Sequence, residues 1–154
     1  MAGTIDARLA DLGLTLPDAP APAANYVPFV QSGNLVFISG QVASGPDGLM
    51  TGQLGAGTTI EEGQAAARGC ALALIAQLKA ACGGDLDRVV RVVKLTGFVN
   101  ATADFGDHPK VVNGASDLMV AVFGDKGRHA RAAVGSSSLP FGVAVEVEGV
   151  FEIE

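Results

Sequence analysis

From residue 142 to residue 153 the chain alternates, with Val143, Val145, Val147 and Phe151 on one side and Glu146, Glu148 and Glu152 on the other. A period of two puts successive side chains on opposite faces of an extended strand, so one face must be covered by a core while the other can carry charge. This pattern requires a sheet with a covering layer. Two helices are available to cover it. Thr59-Ile60-Glu61-Glu62 has capping-box spacing, and Ala67, Cys70, Ala71, Leu74 and Leu78 recur on one helical side until Gly83-Gly84 stops the run. Asp107-His108-Pro109 opens the second, with Val111, Ala115, Leu118 and Val122 on one side and Gly124 at its end. The alanines of the first helix allow close approach to a sheet, which points to helix on sheet and away from helix on helix.

Further strands are expected at residues 26–30, 34–42 and 89–99. Gly45-Pro46-Asp47-Gly48 is a turn that leads into a strand at 49–54, because proline pre-sets φ and glycine tolerates a positive one. The order is then β-hairpin, α, β, α, β, β, an α+β arrangement. Ahead of it, Thr4 is placed to cap a short helix with Ile5, Leu9 and Leu12 on its apolar side and Gly13 at its end. Pro17, Pro20 and Pro22 make an extended connector. Residues 1–23 are too few for a core of their own and read as an appendage to a single domain at 24–154.

With 154 residues, 49% of them hydrophobic, the chain has material for one core. Ten basic residues against sixteen acidic ones give a net charge of −6, and there is no Trp, so a basic, stacking nucleic-acid surface is not expected. Cys70 and Cys82 fall in one expected helix, about 18 Å apart at 1.5 Å per residue, and cannot bridge each other. His108 and His129 are far apart in sequence and form no metal-ligand spacing with the cysteines, so no metal is expected. The first dozen residues carry acids, and no run of about 18 apolar residues occurs. The expectation is a soluble, cytoplasmic protein with free thiols and no membrane partner.

The candidate chemistry lies between Gly127 and Glu148. Arg131 sits between Ala130 and Ala132-Ala133 in a β-type run. A guanidinium there either pairs with a surface acid or holds a carboxylate from outside, for which its planar fork is suited. Glu146 and Glu148 share a strand face, which serves either as a solvated surface or as a source of a water-activating carboxylate. His129 fits a strand-start residue or a proton carrier. Ser136-Ser137-Ser138 read as turn residues, Tyr26 as a strand residue, and Ser39-Gly40-Gln41 as a strand end whose glycine allows tight packing.

Tyr26, Gly33-Asn34, Ser39-Gly40-Gln41, Asp104-Phe105, Asn113, Ala130-Arg131, Leu139-Pro140 and Glu146-Val147-Glu148, in that order and spacing, resemble the Rid proteins. These are also called YjgF-type or reactive-intermediate imine deaminases, and some carry an older endoribonuclease label. The resemblance spans about residues 24 to 152. It implies a chorismate-mutase-like α+β fold in which one mixed sheet packs against two helices, and a homotrimer whose sheets form a central barrel with active sites between subunits. It further implies that Arg131 pairs with the carboxylate of a 2-imino or enamine acid, assisted by a backbone N–H near Ala133. Glu146 then positions the attacking water, and Tyr26, Ser39 and Asn113 line the pocket. The products are a 2-keto acid and ammonia, and no cofactor is needed because the imine is already electrophilic. The chain departs from the deaminase pattern at His129, Ala132 and Ala133, where that branch usually has Pro, Ser or Thr, and often Cys. Two other functions stay open: a non-catalytic binder of small carboxylic metabolites, and a ribonuclease or translation inhibitor.

Overall fold

The computed structural model describes residues 3–21 and 25–154. Its elements, in chain order, are α1 (Thr4–Asp11), β1 (Phe29–Ser32), β2 (Leu35–Val42), β3 (Ser44–Gly45), β4 (Gly48–Leu49), α2 (Ile60–Ala81), β5 (Val89–Asn100), α3 (His108–Phe123), β6 (Ala130–Ser136) and β7 (Val145–Ile153). Five strands form one sheet in the order β1-β2-β7-β5-β6. All neighbours are antiparallel except β5 and β6, so the sheet is mixed. The alternating strand read from the sequence lies at its centre.

Register assigns the faces. Ile38, Gly149, Leu95 and Arg131 form one row across the sheet, and Val36, Phe151 and Val92 another, on the side covered by α2 and α3. Val36, Val92, Leu95, Val147 and Phe151 are wholly buried there, together with Leu74 and Leu78 of α2 and Val111 and Met119 of α3. On the opposite face lie the rows Val30, Phe37, Val150, Lys94 and Val42, Glu146, Phe98, Val134. No helix covers this second face among the described residues.

The helices follow the expected cues with two differences. Thr59 caps α2 by accepting from the Glu62 N–H at 3.1 Å, Pro109 stands in the first turn of α3, and positive-φ glycines at 83 and 124 follow the two helices. The first difference is that α2 packs on α3 as well as on the sheet. A Cβ at Gly114 of α3 would fall on the Gln64 carbonyl of α2, so the small residues serve a helix–helix crossing too. The second is that Thr4 is not the cap of α1. Gly3 occupies that position, and the Asp87 carboxylate accepts from the Thr4 and Ile5 N–H groups, both at 2.9 Å. A distant acid satisfies the helix end and favours it through the dipole. α1 is thus a third helix docked on the body, with Leu9 buried.

The expected strand at 26–30 begins only at Phe29, because Pro28 has no N–H to give a ladder. That expected at 49–54 shrinks to Gly48–Leu49, and Thr51 and Leu54 make isolated bridges, interrupted by Gly52 at φ 142°. Pro22 and the expected domain boundary after residue 23 lie outside the described residues. Before them, Gln77, 1% exposed, donates from Nε2 to the Pro20 carbonyl at 2.5 Å and ties the connector to α2. Cys70 and Cys82 are both buried and free. Among the described residues, no helix is long and apolar enough to cross a membrane.

Candidate active site

The sequence-derived residues gather in two groups on opposite faces of the sheet. The first is at the edge strand β6. Arg131 points to the helix side, where Asn113 and Ser116 stand one turn apart on α3. Its Nη1 donates to Asn113 Oδ1 at 2.8 Å and to Ser116 Oγ at 3.2 Å. Among the described residues no carboxylate is within ion-pair reach of Arg131, so of the two readings of this guanidinium the surface pair is not formed. Behind it, His129 Nε2 is 2.8 Å from Ser116 Oγ, and Nδ1 is 2.6 Å from the Gly127 carbonyl oxygen. Arg128, Val120 and these side chains border an open groove of about 280 Å³. Ala133, half-buried and paired with Gly97, can offer only backbone.

The second group lines a more enclosed pocket of about 280 Å³, where Glu146 stands on the open face. Tyr26, Ser39, Gln41, Ser44 and Glu146 supply polar groups, while Pro20, Ala21, Pro28, Val42, Pro140 and Phe141 make most of its wall. A register shift between Ile38 and Gln41 bends β2 here. Ser39 Oγ donates to the Val27 carbonyl at 2.8 Å, and Gln41 Nε2 donates to the Ser39 carbonyl at 2.8 Å, which fixes the bend. Gly40 matters because a Cβ there would fall on the Glu146 carboxylate. Burial pushes the Glu146 carboxyl above its ordinary range, and the neighbouring Glu148 carboxylate adds to the rise. Partial burial beside a like charge is an arrangement that yields a proton acceptor nearer neutrality. Phe141 stands at the rim, 66% exposed, at φ 60°, the one non-glycine with positive φ among the described residues. Such a conformation is strained for an aromatic residue and is a reason to suspect function.

Glu146 pairs across β5 with Phe98, and Phe98 pairs with Val134, three residues beyond Arg131 on β6. Two strand spacings and three residues separate Arg131 from Glu146 by about 10 Å in each direction, with the sheet between their side chains. One chain therefore cannot bring both groups to a single four-carbon acid. Ser116 and Phe141 were missed in the sequence. Ser116 had a usable signal in its spacing of three from Asn113, while Phe141 had none, since nothing local announces a positive φ.

Fold and candidate site together define an α+β protein with one mixed sheet, helices on one face, and candidate arginine and carboxylate groups apart from each other. Residues 6–150 match the family described as "YjgF/chorismate_mutase-like, putative endoribonuclease". The chain belongs to the YjgF/Rid family. It is 55% identical to Protein TCP17 of Trypanosoma cruzi, over 98% of this chain and 95% of that one. It is similar to the crystal structure of Atu1372 from Agrobacterium tumefaciens, a protein of unknown function, with 47% identity and a TM-score of 0.90 over 97% of this chain and 92% of that chain. A 2-iminobutanoate/2-iminopropanoate deaminase of Dermatophagoides farinae is 28% identical, over 92% of this chain and 95% of its own length.

Proposed function

We propose that the protein hydrolyses 2-imino or enamine acids to 2-keto acids and ammonia, at sites built between copies of this chain. The observation that carries this reading is the separation of Arg131, which has no carboxylate partner among the described residues, from a Glu146 whose carboxyl is raised, on opposite sheet faces. The apolar side chains of the open face, Val30, Phe37 and Val134, each about half exposed, support joining the sheets of three copies around a barrel. In that assembly Arg131 of one copy meets the Tyr26, Ser39 and Glu146 pocket of its neighbour. The named deaminase relative supports the substrate class.

The chemistry needs few groups. Arg131 pairs with the substrate carboxylate, Asn113 and a backbone N–H near Ala133 help hold it, and Tyr26 and Ser39 line the pocket. Glu146 accepts a proton from water as the oxygen bonds to the imine carbon, and the C=N electron pair moves to nitrogen, which takes up a proton. The resulting carbinolamine expels ammonia as the C–O bond becomes C=O. Every step is acid–base.

The test is keto-acid release from freshly generated 2-iminobutyrate or 2-iminopropionate by wild type, Arg131→Ala and Glu146→Gln. Both variants should be inactive alone, and unfolding and remixing them in equal amounts should restore about a quarter of wild-type activity if each site takes Arg131 and Glu146 from different copies at random. No acceleration by wild type would sink the proposal, and no recovery on mixing would sink the shared site. A non-catalytic carboxylate binder rests on the same Arg131, with alanines at 132 and 133 offering no side-chain help. It is favoured if Glu146→Gln keeps the full biological effect.

A further inference from the structure

Ser116 and His129 take no part in the hydrolysis above, yet with Gly127 they make a directed chain behind Arg131. The Gly127 carbonyl can only accept, so at 2.6 Å the hydrogen is on His129 Nδ1. Gly127 lies close against α3, where a Cβ would collide with the Met119 carbonyl. In this tautomer Nε2 presents a lone pair toward Ser116 Oγ, 2.8 Å away, and the hydroxyl proton is directed to it. Ser116 then offers Arg131 only lone pairs. Nη1 donates to one of them at 3.2 Å and to Asn113 Oδ1 at 2.8 Å.

We infer that Ser116 and His129 are positioning residues, which hold Nη1 of Arg131 and turn the remaining N–H edge of the guanidinium toward an incoming carboxylate. This deepens the proposed function and rests on its reading of Arg131. The need is local. Ala130, Ala132 and Ala133 surround Arg131 in sequence and have no side-chain donor or acceptor, so the long arginine stem takes its orientation from α3 and from the turn before β6. Ordering it before binding removes that entropy loss from the binding step. A planar edge of two parallel donors selects one carboxylate in one plane. His129, which departs from the usual proline of deaminase members, thereby has an assigned role.

The experiment is NMR on the guanidinium of Arg131 and the ring of His129 in wild type, Ser116→Ala, Ser116→Thr and His129→Ala, with fold and oligomeric state matched. Loss of one hydrogen bond to a charged group should speed rotation of the Arg131 N–H groups roughly tenfold in Ser116→Ala, while His129→Ala, which leaves the Ser116 oxygen in place but frees its proton to turn, should speed it in the same direction by less. Ser116→Thr keeps the hydroxyl and should stay within about twofold of wild type. In wild type the ring should show hydrogen on Nδ1. Equal rotation rates in wild type and Ser116→Ala, or hydrogen on Nε2 of the neutral ring, overturns the inference. With 2-iminobutyrate Ser116→Ala should raise KM about tenfold, and His129→Ala by less, with kcat largely kept in both, as loss of uniform binding does. A fall in kcat with KM unchanged also overturns it. If wild type hydrolyses no 2-imino acid the deaminase reading falls, and the rotation and tautomer measurements still decide this one.

Discussion

Gly40 and Glu146 touch, and only the absence of a Cβ at position 40 leaves the carboxylate where it is. Gly40 is not among the positive-φ glycines, so alanine suits its backbone, and the flexible Glu146 tip is what must yield. Gly40→Ala should therefore keep its fold, seen by circular dichroism and melting, while imine hydrolysis falls about tenfold or more through the displaced base. Unchanged activity would mean that Glu146 does not act from this position. The pH dependence follows from the same side chain. A base works ionised, so the acid limb of the rate profile should lie above the ordinary 4.5 of a glutamate. Burial is the larger cause and Glu148 the second, so Glu148→Gln should move the limb down without restoring the ordinary value. For stability the sign reverses. A carboxyl raised on folding supports the fold below its ordinary value and loses that support as pH rises through the raised one. Glu146→Gln should raise the melting temperature near pH 7 and leave it unchanged near pH 3.

Among the elements, α1 shows best how local signals and tertiary contacts divide the work. Its apolar positions and stop glycine are readable, but its cap comes from Asp87, more than eighty residues away in sequence. The two N–H groups, Ile5 first and then Thr4, hold the Asp87 carboxyl below its ordinary 3.8. A lowered acid contributes stability above its ordinary value and loses it as pH falls through the lowered one, so docking of α1 should weaken only in strong acid. Asp87→Ala should speed hydrogen exchange in α1 while amides of β5 and β7 keep their protection. Equal exchange in α1 would show that Leu9 and the Lys79–Asp6 ion pair, at 3.0 Å, suffice without the cap. The same division explains α2. Its alanines signalled close packing, but which partner they approach depended on Gly114 of a helix fifty residues further on.

For the whole molecule the open sheet face is decisive. Phe37, 46% exposed, and Val134, 43% exposed, are apolar side chains on a face that no helix of the same chain covers among the described residues. Phe37→Asp should leave the monomer fold intact, since the side chain is outside the core, yet give a monomer by sedimentation with no hydrolysis. A trimer of full activity would show that this face is not the interface.

The amino-acid order by itself determined the periodicities, and with them the central strand, the two long helices, their glycine stops and the candidate residues Arg131 and Glu146. It also carried the family, through short motifs read in their order and spacing. Tertiary structure decided what periodicity cannot encode: that Arg131 faces the helices and Glu146 the open side, that Asp87 caps α1, and that Ser116 and His129 stand behind Arg131. Those relations depend on strand order and register, which bring residues together at distances that local propensity does not sense.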